Sequence, residues 1–420
     1  FTGGTGRALR SRGGATAAAA ARSNDFWQFS SAKADGSDPV ILFEGTDDAT
    51  VPSTGTRMKL DTENNTPDPT VHQNATVIWA GQNNDDAYGP GRYNLAVNGD
   101  MALNQLAPAT NADKSAGFDG GVVLTQSNTI ALTSVSAPEA GQAQCMRMTQ
   151  SNASAQRMGY LFVIPSEDTI PLRGKGIAAY LRGRLSTSAN VRIAIGEWTG
   201  TADALAGDVV SDWTSSTYTT AGFFTSTTQN LLSVLNTAMT AATWRDVSGA
   251  VASGGATATV GASANNLWVL VWTEATVAQN VTLDLGHVRI IPGYMPNANV
   301  PTERSRMVAR AERQVQKSYA IGSAPATSTQ IGATVAISRK SDQLDRFSVH
   351  FRTRMFKAPT VTVYSTTGAS ANMANLTAVA DLAAASTAVG ETGFAAYATS
   401  NTTADNIYAF HWTATGYPWT

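Results

Sequence analysis

The sequence predicts an all-β protein: antiparallel jelly-roll or β-sandwich domains joined by a short helix, with an irregular N-terminal anchoring segment. Three observations carry this reading. Apolar and polar residues alternate over short runs, as where Val191, Ile193 and Ile195 oppose Arg192, Ala194 and Gly196, the period of a strand with one buried face. Clusters of Gly, Pro, Asn, Asp and Ser punctuate such runs along most of the chain. Charged residues are 14% of the total, well below the roughly 25% of average soluble proteins, and Thr, Ser, Ala, Gly and Asn fill the shortfall.

At 420 residues the chain exceeds a single ordinary core and predicts two or three domains. Residues 1–24 carry Arg7, Arg10, Arg12 and Arg22 without an acidic partner among Gly and Ala. They read as a flexible basic arm, too poor in large side chains to fold alone, that docks into a larger assembly. Residues 25–92 hold the islands Phe26-Trp27, Val40–Phe43 and Thr76–Trp79 between turn clusters such as Asn64–Pro69. They read as a β-rich anchoring region whose thin core hints at strands shared between subunits. Tyr88-Gly89-Pro90-Gly91 is a break.

Over 93–295 the expected strands are Gly121–Leu124, Gln144–Thr149, Gly159–Ile164, Ile177–Arg184, Asn190–Glu197, Ala242–Val247, Leu267–Thr273 and Val281–Ile291, the supply a two-sheet sandwich or jelly roll requires. Residues 296–319 form a linker and helix. Pro301 suits a first helical turn because its missing N–H would be unpaired there. Val308, Ala311, Val315 and Tyr319 recur at helical spacing over Thr302–Tyr319. Arg304, Arg306, Arg310, Arg313 and Lys317 occupy the other faces. So narrow a stripe must pack on a neighbouring domain or on copies of itself, which makes Val308, Ala311, Val315 and Tyr319 oligomer-interface candidates. Residues 320–420 repeat the β pattern, with Phe347, Val349 and Phe351 on one face of a strand and Tyr408, Phe410 and Trp412 on one face of another, and predict a smaller C-terminal β-sandwich.

A net charge of −2 gives no overall field toward nucleic acid or an anionic membrane. The longest apolar run, Leu267–Trp272, is too short for membrane insertion. No signal peptide is visible, and a start at Phe1 is read as a processed N-terminus or one lying further upstream. One cysteine, Cys145, precludes an intrachain disulfide framework and reads as a buried, inert thiol. His72, His287, His350 and His411 lack metal-ligand spacing; His350 and His411 are expected to face solvent or an interface. Gly3-Gly4-Thr5-Gly6 follows no strand and precedes no Lys, unlike a phosphate loop. Glycoside cleavage needs two carboxylates roughly 5–9.5 Å apart. Glu197, Asp203, Asp208, Asp212 and Glu274 are available near aromatics, but loop solvation accounts for each equally well. No enzyme, cofactor or metal is expected.

Sugar binding asks for aromatic faces against the C–H face of a pyranose and polar groups for its hydroxyls. Trp198, Trp213, Tyr218, Trp268 and Trp272 cluster in the first sandwich. Trp268 and Trp272 share a face of one strand, a pattern that reads as core. Trp198 and Trp213 border a loop rich in Asp, Thr and Ser, so the glycan-binding candidates are Trp198, Trp213, Tyr218, Asp203 and Asp212.

Asn94-Leu95-Ala96-Val97-Asn98-Gly99-Asp100 resembles the opening of the carbohydrate-binding-module-like jelly rolls of phage tail-fibre and minor structural proteins, and Leu283–Ile290 resembles their closing strand. Gln316-Lys317-Ser318-Tyr319 is similar to the end of the following helix, Phe351–Tyr364 to the next hairpin, and Asn406–Thr413 to the final strand. The likeness runs in order from 94 to 420. It implies a virion fibre or spike protein, on the extracellular face of the particle, that attaches to host surface glycans. It further implies a homotrimer that contacts other virion proteins through its N-terminal region. The alternatives are a ligand-free head decoration, neck or tail whisker protein, and a polysaccharide-degrading tailspike. Relatives often hold a structural calcium through acidic residues in the closing strand. Gly286, His287 and Ile291 stand at those positions, leaving Asp284 as the one weak calcium candidate, since calcium takes six to eight oxygens.

Overall fold

The computed structural model describes residues 94–106, 110–136, 144–205, 208–250, 259–292, 304–339, 345–400 and 402–419, with four short strands before them. His72, Phe26-Trp27, Thr76–Trp79 and the linker up to Pro301 lie outside the described residues. The chain divides into Phe1–Pro90 and Gly91–Thr420.

In the first unit, β1 (Ala8–Arg10), β2 (Gln28–Ser30), β3 (Ile41–Glu44) and β4 (Arg57–Leu60) pair in sequence order as an antiparallel sheet. Ala8–Arg10 falls within the segment expected to be a flexible arm, yet pairs with β2 from Ala8↔Ser30 to Arg10↔Gln28.

The second unit opens with a sandwich of two six-stranded antiparallel sheets. Its strands are β5 (Thr110–Asn111), β6 (Ser115–Ala116), β7 (Gly121–Thr125), β8 (Ile130–Ser136), β9 (Gln144–Gln150), β10 (Met158–Ile164), β11 (Ile177–Leu185), β12 (Asn190–Trp198), β13 (Gln229–Ala238), β14 (Trp244–Ala250), β15 (Asn266–Thr273) and β16 (Thr282–Pro292). One sheet runs β13-β12-β15-β10-β7-β6, the other β14-β11-β16-β9-β8-β5. Between them lies a core that includes Tyr160, Phe162, Leu181, Ile193, Val269 and Leu285.

The first sheet also needs cover outside. Every residue of β10 and of β15 is buried, because both are nearly continuous apolar runs, the signature of a strand covered on both faces. Their outer side chains, Leu161, Val163, Trp268, Leu270 and Trp272, meet Val209, Trp213, Phe223 and Phe224 from the stretch 199–228 and Trp419 from the end of the chain.

A short helix, α1 (Ser166–Thr169), follows β10, and α2 (Arg304–Glu312) follows the sandwich. The helix expected as far as Tyr319 stops at Glu312. Val315–Lys317 forms β17 instead and pairs with β24 (Ile407–Thr415). Residues 315 and 319 share a face at a helical i,i+4 step and at an even strand step alike, so spacing alone does not separate the two. The ladder on β24 decides it.

The C-terminal sandwich adds β18 (Thr334–Ile337), β19 (Arg346–His350), β20 (Thr360–Ser365), β21 (Asn372–Asn375), β22 (Ala380–Gly390) and β23 (Gly393–Ala398). The long β22 pairs first with β21 and then with β23, so one strand passes through both layers. Tyr408, Phe410 and Trp412 point together into the core with Phe347, Val349 and Phe394. The all-β, antiparallel class with a short joining helix is the observed one.

Candidate functional site

The outer face of the second sheet has a different character from that of the first. On β11, Ile177, Ala179, Leu181 and Leu185 turn into the core, so strand alternation sends Tyr180, Arg182 and Arg184 outward. Cross-strand register places Arg147 opposite Asp284, Asp284 opposite Arg184, and Arg184 opposite Trp244. One row of side chains therefore crosses β9, β16, β11 and β14.

Within the row the contacts are close. Arg147 donates from Nε and Nη2 to Asp284 at 2.6 and 2.9 Å, and Arg184 from Nε and Nη2 at 3.0 and 2.6 Å. The Arg184 guanidinium lies 5.3 Å from the Trp244 ring centroid, within cation–π range. Asp284 is 1% exposed, while Arg147 and Arg184 are 30% and 27% exposed: a buried carboxylate anchors two guanidiniums that reach solvent.

Beside this row, Asp246 accepts from Tyr180 Oη at 2.6 Å and from Arg182 Nη1 at 2.5 Å. Further along, Arg289 donates to Asp100 at 2.9 Å, and His287 Nδ1 lies 3.2 Å from the same carboxylate. Burial opposes the charge on Asp100, but the His287 hydrogen bond and the Arg289 guanidinium outweigh it and hold that carboxyl below its usual range. The motif Asn94–Asp100 is held there by the closing strand. Leu95 N donates to Ile290 O at 2.7 Å, Val288 N to Gly99 O at 2.6 Å and Asn94 Nδ2 to Val288 O at 2.8 Å. A Cβ on Gly99 would come within 2.2 Å of Asn94 Nδ2, so only glycine fits. Chemically, the face offers forked donors, carboxylate acceptors and a part-exposed indole.

The glycan-binding candidates from sequence lie on the other sheet. Trp213 is 9% exposed and sits edge-on to Phe223 at 5.5 Å. Tyr218 packs at 5.3 Å from Phe223 and 5.8 Å from Trp272, with the Arg192 guanidinium 3.9 Å over its ring. Trp198 lies against the same apolar layer, and its Nε1 donates to Thr201 O at 2.8 Å. Asp203 accepts from Ser166 N at 2.8 Å and from Asn266 Nδ2 at 2.7 Å, pinning the covering stretch to α1 and β15. Asp212 accepts from Thr214 Oγ1 at 2.7 Å and Thr214 N at 2.8 Å; the Thr214 hydroxyl and amide hold its carboxyl below the usual range. Trp213 and Tyr218 come together around Phe223, and all five fasten or fill the cover over Trp268 and Trp272. The expectation that the loop tryptophans are exposed fails for Trp213 because a sheet apolar on both faces claims its ring.

The other acids are similarly engaged. Glu197 accepts from Asn230 Nδ2 at 2.9 Å and from Gly261 N at 2.7 Å, Glu274 pairs with Arg192 at 2.6 Å, and Asp208 with Lys114 at 3.1 Å. Asp284 is no calcium ligand in this arrangement, since two guanidiniums already occupy its oxygens and would repel a cation. Cys145 is buried; burial, with the nearby Asp284 charge, pushes its thiol up to about 11, so it stays protonated.

The interface candidates are also corrected. Ala311, with Met307, packs on Val97 and Leu103 of the same chain, with Val308 against that cluster, and Val315 and Tyr319 are buried as well. The stripe is consumed within the chain. His350 is exposed as expected, but His411 is fully buried, stacked on Tyr319 at 4.0 Å. Its Nε2 lies 3.0 Å from Thr329 O and its Nδ1 2.8 Å from Ser318 Oγ. A carbonyl only accepts, so Nε2 donates and Nδ1 accepts; burial pushes the imidazole pKa down.

Tyr180, Arg182, Arg184, Trp244 and Asp246 escaped the sequence reading. Their alternation was visible on two expected strands, but nothing in the order of the chain made those strands neighbours.

No protein-family model and no curated protein sequence matches this chain. Solved structures with some likeness include TmCBM61 in complex with beta-1,4-galactotriose, at 4% identity over 41% of this chain and 88% of that one, TM-score 0.24. The C-terminal family 22 carbohydrate binding module of Clostridium thermocellum Xyn10B matches at 8% identity over 49% and 98%, TM-score 0.26. The enzymatically active domain of bacteriophage CBA120 tailspike protein 4 matches at 7% identity over 42% of this chain but 19% of that one, TM-score 0.26. At these identities and TM-scores, what those proteins bind or cleave stays with them.

Proposed function

We propose that this chain is a non-enzymatic glycan-binding protein, a fibre or spike subunit on the outside of a tailed-phage-like particle, and that it holds host surface glycans on the outer face of the second sheet. The observation that carries the reading is the row Arg147–Asp284–Arg184–Trp244, where fixed donors and acceptors stand beside a part-exposed indole. Sugar recognition uses these groups: an aromatic surface for C–H faces and preorganised polar groups for hydroxyls. Glu197, Asp203, Asp208 and Glu274 are each tied into hydrogen bonds or ion pairs, which favours holding a glycan over cleaving one. In this reading the N-terminal unit meets other virion proteins and several copies multiply weak contacts by avidity. The assembly is a homotrimer whose contact surface lies at Val335 and Ile337, not on α2.

A glycan array tests it. Trp244→Ala should lose at least tenfold in binding while Trp198→Ala keeps it; equal binding by both variants, or release of reducing ends from capsule, would remove the proposal. A ligand-free structural role is the second reading, favoured by the burial of Trp213, Trp268 and Trp272.

A further inference from the structure

We infer that the sugar held on this face is acidic: the row selects saccharides carrying a carboxylate or a sulfate ester. The inference rests on the glycan-binding reading and adds the ligand's charge.

The argument starts from an imbalance. Two guanidiniums, Arg147 and Arg184, share one carboxylate, Asp284, so the row carries one positive charge more than it neutralises. The neighbouring Arg182 pairs with Asp246, and Cys145, on the same face of β9 as Arg147, is a neutral thiol. One guanidinium already neutralises the buried Asp284 carboxylate. A second on the same oxygens adds like-charge repulsion within the row.

Geometry says what the surplus is for. A guanidinium has five N–H donors, and Asp284 takes those on Nε and Nη2 of each arginine. Nη1 of both remains without a partner among the described residues. The buried oxygen pair holds each guanidinium in a fixed orientation with its Nη1 side left over, and a guanidinium's paired N–H groups form the fork that suits a planar oxyanion. Trp244 ends the row. Strands lie about 4.8 Å apart, so from β9 to β14 the row spans roughly 14 Å, room for an oligosaccharide with its acid group over the arginines and an uncharged ring against the indole.

The test uses the full chain and four probes: a uronic-acid oligosaccharide, its carboxyl-reduced neutral counterpart, a sulfated analogue and a short DNA duplex. Arg147→Gln is the variant of choice, because it removes the surplus charge and leaves the Arg184–Asp284 pair intact. Wild type should bind an acidic sugar at least tenfold more tightly than the neutral one, with a preference that falls as salt rises from 50 to about 300 mM. In Arg147→Gln the preference for the acidic sugar over the neutral one should drop to within about twofold. The carboxylated and sulfated arms decide which ester or acid is preferred, either supporting the inference. Equal binding of acidic and neutral sugars, an undiminished preference in Arg147→Gln, or equal affinity for the duplex would overturn it and leave the glycan reading standing. Binding of no sugar at all would remove both.

Discussion

Lys317 is 1% exposed, and its ammonium donates to Gln105 O at 2.5 Å, Ile321 O at 3.0 Å and Ser323 O at 2.6 Å. All three N–H groups are used, and they tie the first sandwich to the second. Burial pushes the amine down to about 8, with the charge of Asp119 opposing that shift. Between about pH 8 and 10.4, the ordinary lysine value, the unfolded chain therefore binds more protons at this site than the folded one, so the site's contribution to stability rises with pH across that window. Lys317→Met strands three carbonyls and should cost about 3 kcal/mol at pH 7. Urea titrations of both proteins at pH 7, 8 and 9 check it: the gap should widen by up to about 1 kcal/mol per pH unit above 8, and a constant gap would contradict the assignment. Nothing in the sequence separated Lys317 from the solvated basic residues of the expected helix, because its burial depends on Gln105, more than two hundred residues earlier.

At the scale of elements, strands buried on a regular pattern were legible. Asn190–Glu197 was expected and Asn190–Trp198 is found; Leu267–Thr273 was expected and Asn266–Thr273 is found. Strands without a clean pattern were missed. β13 is an edge strand whose residues are mostly half-buried or exposed, and β22 is built from Ala, Ser and Thr, so neither carries a strong apolar alternation. The covering of β10 and β15 was missed for another reason. Two apolar faces on one sheet announce that a cover exists, but not that 199–228 and Tyr417–Trp419 supply it. Trp419 stacks on Tyr417 at 4.3 Å and is 7% exposed. Trp419→Ala should therefore destabilise the first sandwich by about 3 kcal/mol, seen as a lower urea midpoint with unchanged slope. A change below 0.5 kcal/mol would mean that the tail lies loosely on the sheet.

For the whole molecule, the two sandwiches and α2 form one packed unit. Arg310 reaches Asp168 at 2.6 Å, Arg313 pairs with Glu167, and Phe356 N donates to Arg313 O at 2.7 Å. With the helix stripe used up in this way, the proposed self-association needs another surface. Val335 and Ile337 are 59% and 60% exposed on β18, and Ile407, opposite Ile337 on β24, is 39% exposed. Apolar side chains clustered on exposed strands mark association surfaces. Light scattering should report a trimer for the wild type and a monomer for the Val335→Lys, Ile337→Lys double variant. An unaltered mass would place the contact elsewhere.

One feature at the entrance to the first sandwich bears on how such a molecule would carry load. The chain arriving from the N-terminal side joins at Asn94 and is bonded at once along β16, the strand that also supplies Asp284 and Arg289. Tension between a tethered base and a captured surface would thus enter and leave through neighbouring backbones. It would bypass the C-terminal sandwich and shear a few short bonds together instead of peeling them one by one.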